Sequence, residues 1–335
     1  MPIENLLQRE RSLKKIGGDK MDTQQFDALI IGFGKAGKTL AVTLANVGKK
    51  VALVERSPKM YGGTCINIAC IPTKVLVNAA EHHQSFDEAM AHKTTVVARL
   101  NEKNYHMLAD RETVSVIEGE ASFVDDRTVK IVAGNDDLVV SAPQIFINTG
   151  AESIIPDIPG VDKPFVYTST ELLDRMTQPK QLAIIGGGYI GLEFASTYAK
   201  LGTKVTVFER GDALLAREDP AIARAATEAL QAQGIEIVFS VDVTAIEGES
   251  TATIRTVNHD DYAGYDAVLM ATGRRPATMS LNLPAAGVAT DERGAIVVDE
   301  TLRTSRSHIW AMGDVTGGPQ FTYASLDDFR IVRSQ

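Results

Sequence analysis

Cysteine is scarce in this sequence, with two among 335 residues, which excludes the disulfide scaffold of a small secreted domain. Positive charge is in deficit as well. Thirty-four Lys and Arg against forty-three Asp and Glu leave a net charge of −9. That balance repels phosphate backbones and anionic lipid, so no nucleic-acid partner is expected. No window approaches the roughly 18 uninterrupted apolar residues of a membrane span, and the N-terminus lacks a secretory apolar core. No membrane association is expected, and the expected compartment is the cytoplasm. What is present is a globular composition, 44% hydrophobic and 23% charged, long enough for about two domains of roughly 150 residues each.

Residues 1–21 are charged and carry no core-facing period, so they read as a tail. Gly17-Gly18-Asp19 can be encoded by a ribosome-binding sequence just ahead of Met21, and translation from Met21 is the alternative to a flexible tail. From Phe26 the chain runs FDALIIGFGKAGKTLAVTLANVGKKVALVER, an apolar run, a glycine-rich turn, a helical stretch and a second apolar run ending in an acid. That order predicts a βαβ unit. Gly32, Gly34 and Gly37 form G-x-G-x-x-G, and Glu55 follows. The glycines allow a tight turn, close approach of backbone to a pyrophosphate, and close packing of helix on strand. The helix N-terminus donates to phosphate, and the acid can hold ribose hydroxyls.

The pattern returns from Gln181 in QLAIIGGGYIGLEFASTYAKLGTKVTVFER, with Gly186, Gly188 and Gly191, and Glu209 at the same offset. One G-x-G-x-x-G is weak evidence; two, each with its acid, argue for two dinucleotide sites. Each half closes on an apolar strand ending in Thr-Gly, at Thr149-Gly150 and Thr272-Gly273. The first half is the longer, and its surplus is the cysteine segment with its helices, Gly62 to about Asp110. Short alternating pieces at 114–117, 128–131 and 138–140 then predict a small β-meander, and 155–160 reads as a linker.

The run GGTCINIACIPTK, residues 62–74, sets Cys65 and Cys70 five positions apart. In a regular helix those Cα atoms would lie roughly 8–9 Å apart, beyond the usual reach of a disulfide, so a bonded pair requires an irregular helix here. Pro72 suits the first turn of a helix, which puts Cys70 near a helix N-terminus, where the dipole favours a thiolate. Spacing alone leaves three readings: a redox pair, buried inert thiols, and metal ligands. The last is the weaker because no further Cys or His stands at finger spacing, and no metal site is expected.

The segment resembles the redox helix of the class I FAD-dependent pyridine nucleotide-disulfide oxidoreductases, the family of lipoamide dehydrogenase, glutathione reductase and mercuric reductase. It matches the family pattern C-x-N-x-G-C-x-P-x-K at Cys65, Asn67, Cys70, Pro72 and Lys74, with Ala69 at the glycine position. A positive φ there would strain Ala69. Ala311-Met312-Gly313-Asp314-Val315 resembles the family's second FAD motif. The runs 31–38, 65–68 and 317–322 are most similar to the branch that holds mercuric reductases and bacterial reactive chlorine resistance flavoproteins.

The resemblance implies an α/β fold of two Rossmann-like FAD/NAD(P)-binding domains of the three-layer ββα type, the second inserted in the first. An FAD-binding part covers 22–150, an NAD-binding domain 151–273, and the second FAD-binding part 274–335. FAD is implied on Gly32, Gly34, Gly37, Glu55, Gly63, Thr64, Lys74, Ala121, Thr149, Gly150, Gly313 and Asp314. A nicotinamide dinucleotide is implied on Gly186, Gly188, Tyr189, Ile190, Gly191, Glu209, Val243 and Gly273. Glu209 would repel a 2′-phosphate, which favours NADH, while Arg210 leaves NADPH open. Lys74 resembles the family lysine beside the flavin and Glu193 its partner, since a buried ammonium needs a counter-charge. Tyr189 matches a residue that covers the flavin until nicotinamide displaces it.

The implied reaction passes electrons from NAD(P)H through FAD to Cys70, the flavin-side thiol, and out through Cys65. The implied partner is a small-molecule or metal-ion acceptor, whether a disulfide, an oxidant or a metal. Two readings compete with it. One is a flavin NADH oxidase or ferredoxin-reductase-like enzyme that leaves the cysteines unused; the other is a short FAD/NAD-binding chain without turnover. Family members continue into an interface domain that makes a homodimer and supplies a His-Glu pair to the partner's thiols. None of His82, His83, His92, His106, His259 and His308 stands in a matching context, so that homodimer is not expected of residues 1–335 alone.

Overall fold

The computed structural model describes residues 23–134, 136–258 and 260–335; the expected tail, the alternative start at Met21 and His259 lie outside them. Two five-stranded sheets, parallel throughout, organise the chain. The first runs from edge to edge as Ile309–Ala311, Ile145–Ile147, Ala28–Ile31, Val51–Glu55 and Val114–Glu118. The second runs as Val166–Tyr167, Ala267–Met270, Gln181–Ile185, Lys204–Phe208 and Glu236–Val238. Their inner strands are continuous apolar runs rather than alternating ones because both faces are covered.

Each sheet is a middle layer. On one face of the first, Leu29, Ile31, Ala52 and Val54 pack against Ala121, Phe123, Val129 and Ile131 of an antiparallel meander. On the other, Ala28, Ile30, Val51 and Leu53 meet Ala36, Leu40, Leu108 and Phe329 on helices. The second sheet repeats the plan. Leu182 and Ile184 face Phe194, Ala195 and Tyr198 of the helix Tyr189–Lys200, while Ala183 and Ile185 face Ile246, Ala252 and Ile254 of a second meander. The fold is therefore the α/β, three-layer ββα arrangement expected.

One expectation fails. The spacing predicts 114–117 in the meander, yet Val114–Glu118 pairs in parallel with Val51–Glu55 at the sheet edge. The meander is built instead from Glu120–Phe123, Thr128–Ala133 and Asp136–Ser141, with Thr23–Gln25 added in parallel. The chain changes layer at Gly119, whose amide donates to the Glu55 carbonyl at 2.9 Å and where a Cβ would meet Ile131 Cγ2 at 2.6 Å. Short apolar pieces do not say which sheet they join.

Two further features position the site. The chain leaves the first sheet through Ala151–Ser153 and returns through Arg274–Pro276, and these two crossing strands pair antiparallel. The cysteine segment, inserted before the edge strand, forms the helices Thr64–Asn67, Cys70–Glu81 and Phe86–Ala109. The longest begins with a capping box between Ser85 and Glu88, which satisfies its first amides. Leu76 and Ala79 of one helix and Phe86, Ala89 and Met90 of the next share a core with Leu192, Phe194 and Tyr198 of the second half. The cysteine segment is thus wedged between the halves. Among the described residues no helix is long and apolar enough to cross a membrane.

Candidate active site

The strand Ala28–Ile31 ends at Gly32, whose φ of 104° turns the chain into the helix Lys35–Asn46. A Cβ at Gly32 would lie 2.3 Å from the Asn148 carbonyl oxygen, and one at Gly37 2.5 Å from the Gly32 carbonyl oxygen. Only glycine fits both places. The amides of the turn are then shared out. Phe33 N donates to the Glu55 carboxylate at 3.0 Å and Ser57 N to the same carboxylate at 3.2 Å. Ala36 N donates to Ser325 Oγ at 3.3 Å, and Gly37 N to Asn148 Oδ1 at 2.8 Å. Asn148 Nδ2 in turn donates to the Met312 carbonyl at 2.7 Å, so one buried amide side chain ties the turn to two neighbouring segments. Burial pushes the Glu55 carboxyl above its usual range, against its backbone donors. Burial also raises Asp314, with the Arg274 guanidinium opposing.

Gly32, Gly34, Glu55, Gly63, Thr64, Ala121, Thr149, Gly150 and Asp314 line one cleft of about 1190 Å³, and Cys65 and Cys70 line it with them. Gly37 and Gly313 support the wall, the latter donating to Asp328 Oδ2 at 2.7 Å. Gly63, at φ 80°, lies so close to Gly34 that a Cβ on it would stand 2.7 Å from the Gly34 Cα.

Cys65 belongs to the helix Thr64–Asn67 and Cys70 opens the helix Cys70–Glu81, with the break at 68–69. That break is the irregularity a cysteine pair requires. Ala69 has φ −142°, so the strain foreseen for a positive φ does not arise. Both thiols are free, Cys65 half-buried and Cys70 exposed. Cys70 Sγ lies 3.6 Å from Thr322 Oγ1. The Cys65 thiol is pushed up, first by burial and then by its hydrogen bond with Cys70. Asn67 fixes the turn between them, donating to the Tyr61 and Gly63 carbonyls at 3.0 and 2.9 Å and accepting from Asn101 at 3.0 Å.

Lys74 and Glu193 form the expected ion pair, but the ammonium is not buried: the Lys74 side chain is 67% exposed and does not line the cleft. Pro72, Thr73 and Leu76 occupy the buried side of that helix, which leaves Lys74 facing outward across the gap between the halves.

The second set of motif residues forms a parallel construction. A Cβ at Gly186 would lie 2.4 Å from the Ala271 carbonyl oxygen, and one at Gly191 2.2 Å from that of Gly186. Glu209 accepts from Gly187 N at 2.7 Å and from Gly211 N at 2.6 Å. These residues, with Gly188, Ile190, Val243 and Gly273, lie outside the cleft. Tyr189 stands at its mouth, 58% exposed and edge-on to the cleft residue Phe321 at 6.4 Å; its hydroxyl donates to Glu218.

Three residues absent from the sequence expectations belong to this architecture. Asn148 is a polar residue at the end of a buried strand, which is a visible signal. Lys93, 5% exposed, lines the cleft and donates to the Leu173 carbonyl at 2.6 Å; a lysine in a charged helix carries no such signal. Lys38 is buried as well. Among the described residues no group of three or more His, Cys, Asp or Glu side chains could hold a metal ion.

Residues 26–328 match the pyridine nucleotide-disulphide oxidoreductase family. The chain belongs to that family. RclA of Escherichia coli (strain K12) is 50% identical over 312 residues, which cover 93% of this chain and 70% of RclA. The mercuric reductase of Staphylococcus aureus is 36% identical over 327 residues, 92% of this chain and 59% of that protein. The Cu(II) complex of the HOCl-induced flavoprotein disulfide reductase RclA from Escherichia coli matches at a TM-score of 0.90 and 50% identity, across 94% of this chain and 71% of that one. The chain thus spans only part of the length of these relatives. It is an RclA-like member of a family of oxidoreductase enzymes that use FAD and NAD(P)H, built on Rossmann-type FAD and NAD domains.

Proposed function

We propose that this chain carries electrons from NADH through FAD to the Cys65–Cys70 pair and on to a disulfide, an oxidant or a metal ion. The supporting observation is that both thiols line the same cleft as Gly32, Gly34, Glu55 and Asp314. The residues present fit FAD, because Gly32 and Gly34 leave backbone bare where a Cβ would collide with Asn148. Gly32, Gly34, Gly37 and the start of the helix Lys35–Asn46 would hold the pyrophosphate, Glu55 a ribose, and Asp314 the ribitol chain. Gly63, Thr64, Ala121, Thr149, Gly150 and Gly313 would complete the walls, within a flavin-binding part of 22–150 and 274–335.

Bound FAD would supply two-electron exchange between a nicotinamide and the thiols. This chain's own residues supply placement. Cys70, at a helix start beside Thr322, would be the flavin-side thiol, and Cys65 the outer one. Lys74 and Glu193 would hold the cysteine helix against the second half. Gly186, Gly188, Tyr189, Ile190, Gly191, Val243 and Gly273, within 151–273, would receive the nicotinamide dinucleotide. The Glu209 carboxylate would face a 2′-phosphate as a like charge, which supports NADH over NADPH. A relative named mercuric reductase supports a metal ion among the acceptors, and one titled a flavoprotein disulfide reductase supports a disulfide. Two cysteines among 335 residues, too few for a structural disulfide scaffold, support a reducing cytoplasm as the compartment.

Anaerobic titration of the purified protein with NADH tests the reading. The expected result is a long-wavelength absorbance that Cys70→Ser abolishes. Flavin bleaching without that absorbance would remove the cysteines from the reaction, and protein without bound flavin would remove the reaction itself.

A further inference from the structure

Lys93 is a buried lysine that the reaction above leaves unused. It sits in the helix Phe86–Ala109, 5% exposed, and its side-chain nitrogen donates to the Leu173 carbonyl at 2.6 Å. Leu173 belongs to the last turn of the helix Ser169–Asp174 of the second half, where carbonyls lose their intrahelical partners. The neighbouring Leu172 carbonyl takes Arg175 N at 3.2 Å and the Tyr198 hydroxyl at 3.3 Å; Lys93 supplies the donor for Leu173. Burial pushes Lys93 below the ordinary lysine range, with Asp174 opposing from 4.0 Å. Charged or neutral, the nitrogen keeps hydrogens to donate.

The helix that Lys93 holds has a particular place. Its residues Thr170 and Asp174, with its cap residue Thr168, line the cleft that also holds both thiols, and Lys93 lines it beside them. Among the described residues, nothing else between the two crossing strands reaches the cleft wall. The bond from Lys93 to Leu173 is therefore made where the second half meets the cleft. Other ties between the halves are less directional or less protected. The apolar seam of Leu76, Phe86 and Met90 with Leu172, Leu192 and Phe194 is non-directional, and the pairs Lys74–Glu193 and Lys200–Glu81 reach solvent, which weakens them.

We propose that Lys93 is a positioning residue for the transfer from nicotinamide to flavin: by holding the helix Ser169–Asp174, it sets where the second half, and the dinucleotide upon it, stands against the cleft. The inference rests on the reading of the second half as the nicotinamide site. Lys93 acts through the helix it holds. Its role makes and breaks no covalent bond and moves no proton.

The test compares the FAD-loaded parent with Lys93→Met, which keeps the bulk and loses the donor. Without oxygen and at saturating NADH, flavin bleaching should slow about tenfold in the variant, while the NADH concentration giving half the limiting rate stays within about twofold of the parent's. Lys93→Arg, which keeps a donor, should fall between the two. Bleaching by dithionite, which needs no second half, should run at the parent rate. Amide hydrogen exchange at residues 172–175 should quicken about fivefold, as expected for the loss of one hydrogen bond. Equal limiting rates in parent and Lys93→Met overturn the proposal. Unchanged exchange at 172–175 overturns it too, as does slower dithionite bleaching, which would assign Lys93 to the flavin directly. Should Lys93→Met fail to fold, Lys93→Leu carries the same expectations and the same overturning results. The nicotinamide reading fails separately: a parent that NADH cannot bleach refutes that reading, whereas a parent that bleaches no faster than Lys93→Met refutes only the role of the lysine.

Discussion

The two glycine-rich turns share a backbone and differ in what closes over them. Gly32 and Gly186 both have φ above 100°, both press on the carbonyl of a neighbouring strand end, and each acid takes two backbone amides. At the second glycine the halves part. A Cβ on Gly34 would strike Asn148 Oδ1 at 2.5 Å and Gly63 leans on the same residue, whereas a Cβ on Gly188 meets nothing within 4 Å. In the Thr-Gly closures, Asn148 of the first half stands where the second has Ala271. The first turn is roofed by the cysteine segment and locked by an amide side chain; the second is open. A roofed site retains its ligand and an open one exchanges it, which agrees with a resident flavin and a visiting nicotinamide.

The largest effect that would break this contrast is on flavin content. Gly32→Ala combines a positive φ with a collision at 2.3 Å and should yield protein without flavin, seen in the ratio of flavin to protein absorbance; Gly186→Ala should keep its flavin and lose its response to NADH. Equal flavin loss in both would end the distinction. Gly34→Ala should likewise weaken flavin retention, while Gly188→Ala, whose Cβ would meet no protein atom within 4 Å, should leave fold and flavin content unchanged and weaken the NADH response by intruding on the pyrophosphate. Asn148→Ala leaves Gly37 N and the Met312 carbonyl without their partner and should cost about 1–3 kcal/mol, measured by thermal unfolding with and without added FAD.

The smallest expected effect is a pH response located in the first half. Burial raises Glu55, Asp314 and Asp328, so the folded chain holds these protons at pH values where the unfolded chain has lost them. Stability is then fully present below the unfolded values and declines as pH rises through the folded ones. The unfolding temperature of flavin-free protein should fall as pH rises above the ordinary carboxyl values of 3.8 and 4.5, with a shallower slope in Glu55→Gln. Asp125 and Asp299, held low by hydrogen bonds, act only at more acid pH. A slope unchanged by Glu55→Gln would place the response elsewhere.

Both nucleotide turns were legible in the sequence because close backbone approach admits glycine alone, and the helix break between the cysteines was legible because five positions of regular helix hold two sulfurs apart. What stayed hidden depends on packing between distant segments. Lys38 looks like any lysine in KAGKTLA until the helix Phe86–Ala109 lays Asn104 over it. Lys74 has its partner in Glu193, but the side it faces follows from which neighbours the second half buries. Val114–Glu118 could join either layer by composition, and the choice was made at Gly119.

The paired strands Ala151–Ser153 and Arg274–Pro276 form a collar around everything between them. Departure and return are hydrogen-bonded side by side, and because closure entropy grows only slowly with the length enclosed, the host sheet tolerates guests of different size. Such a collar lets a whole body be lengthened, trimmed or exchanged at two adjacent splice points without shifting the register of a single host strand.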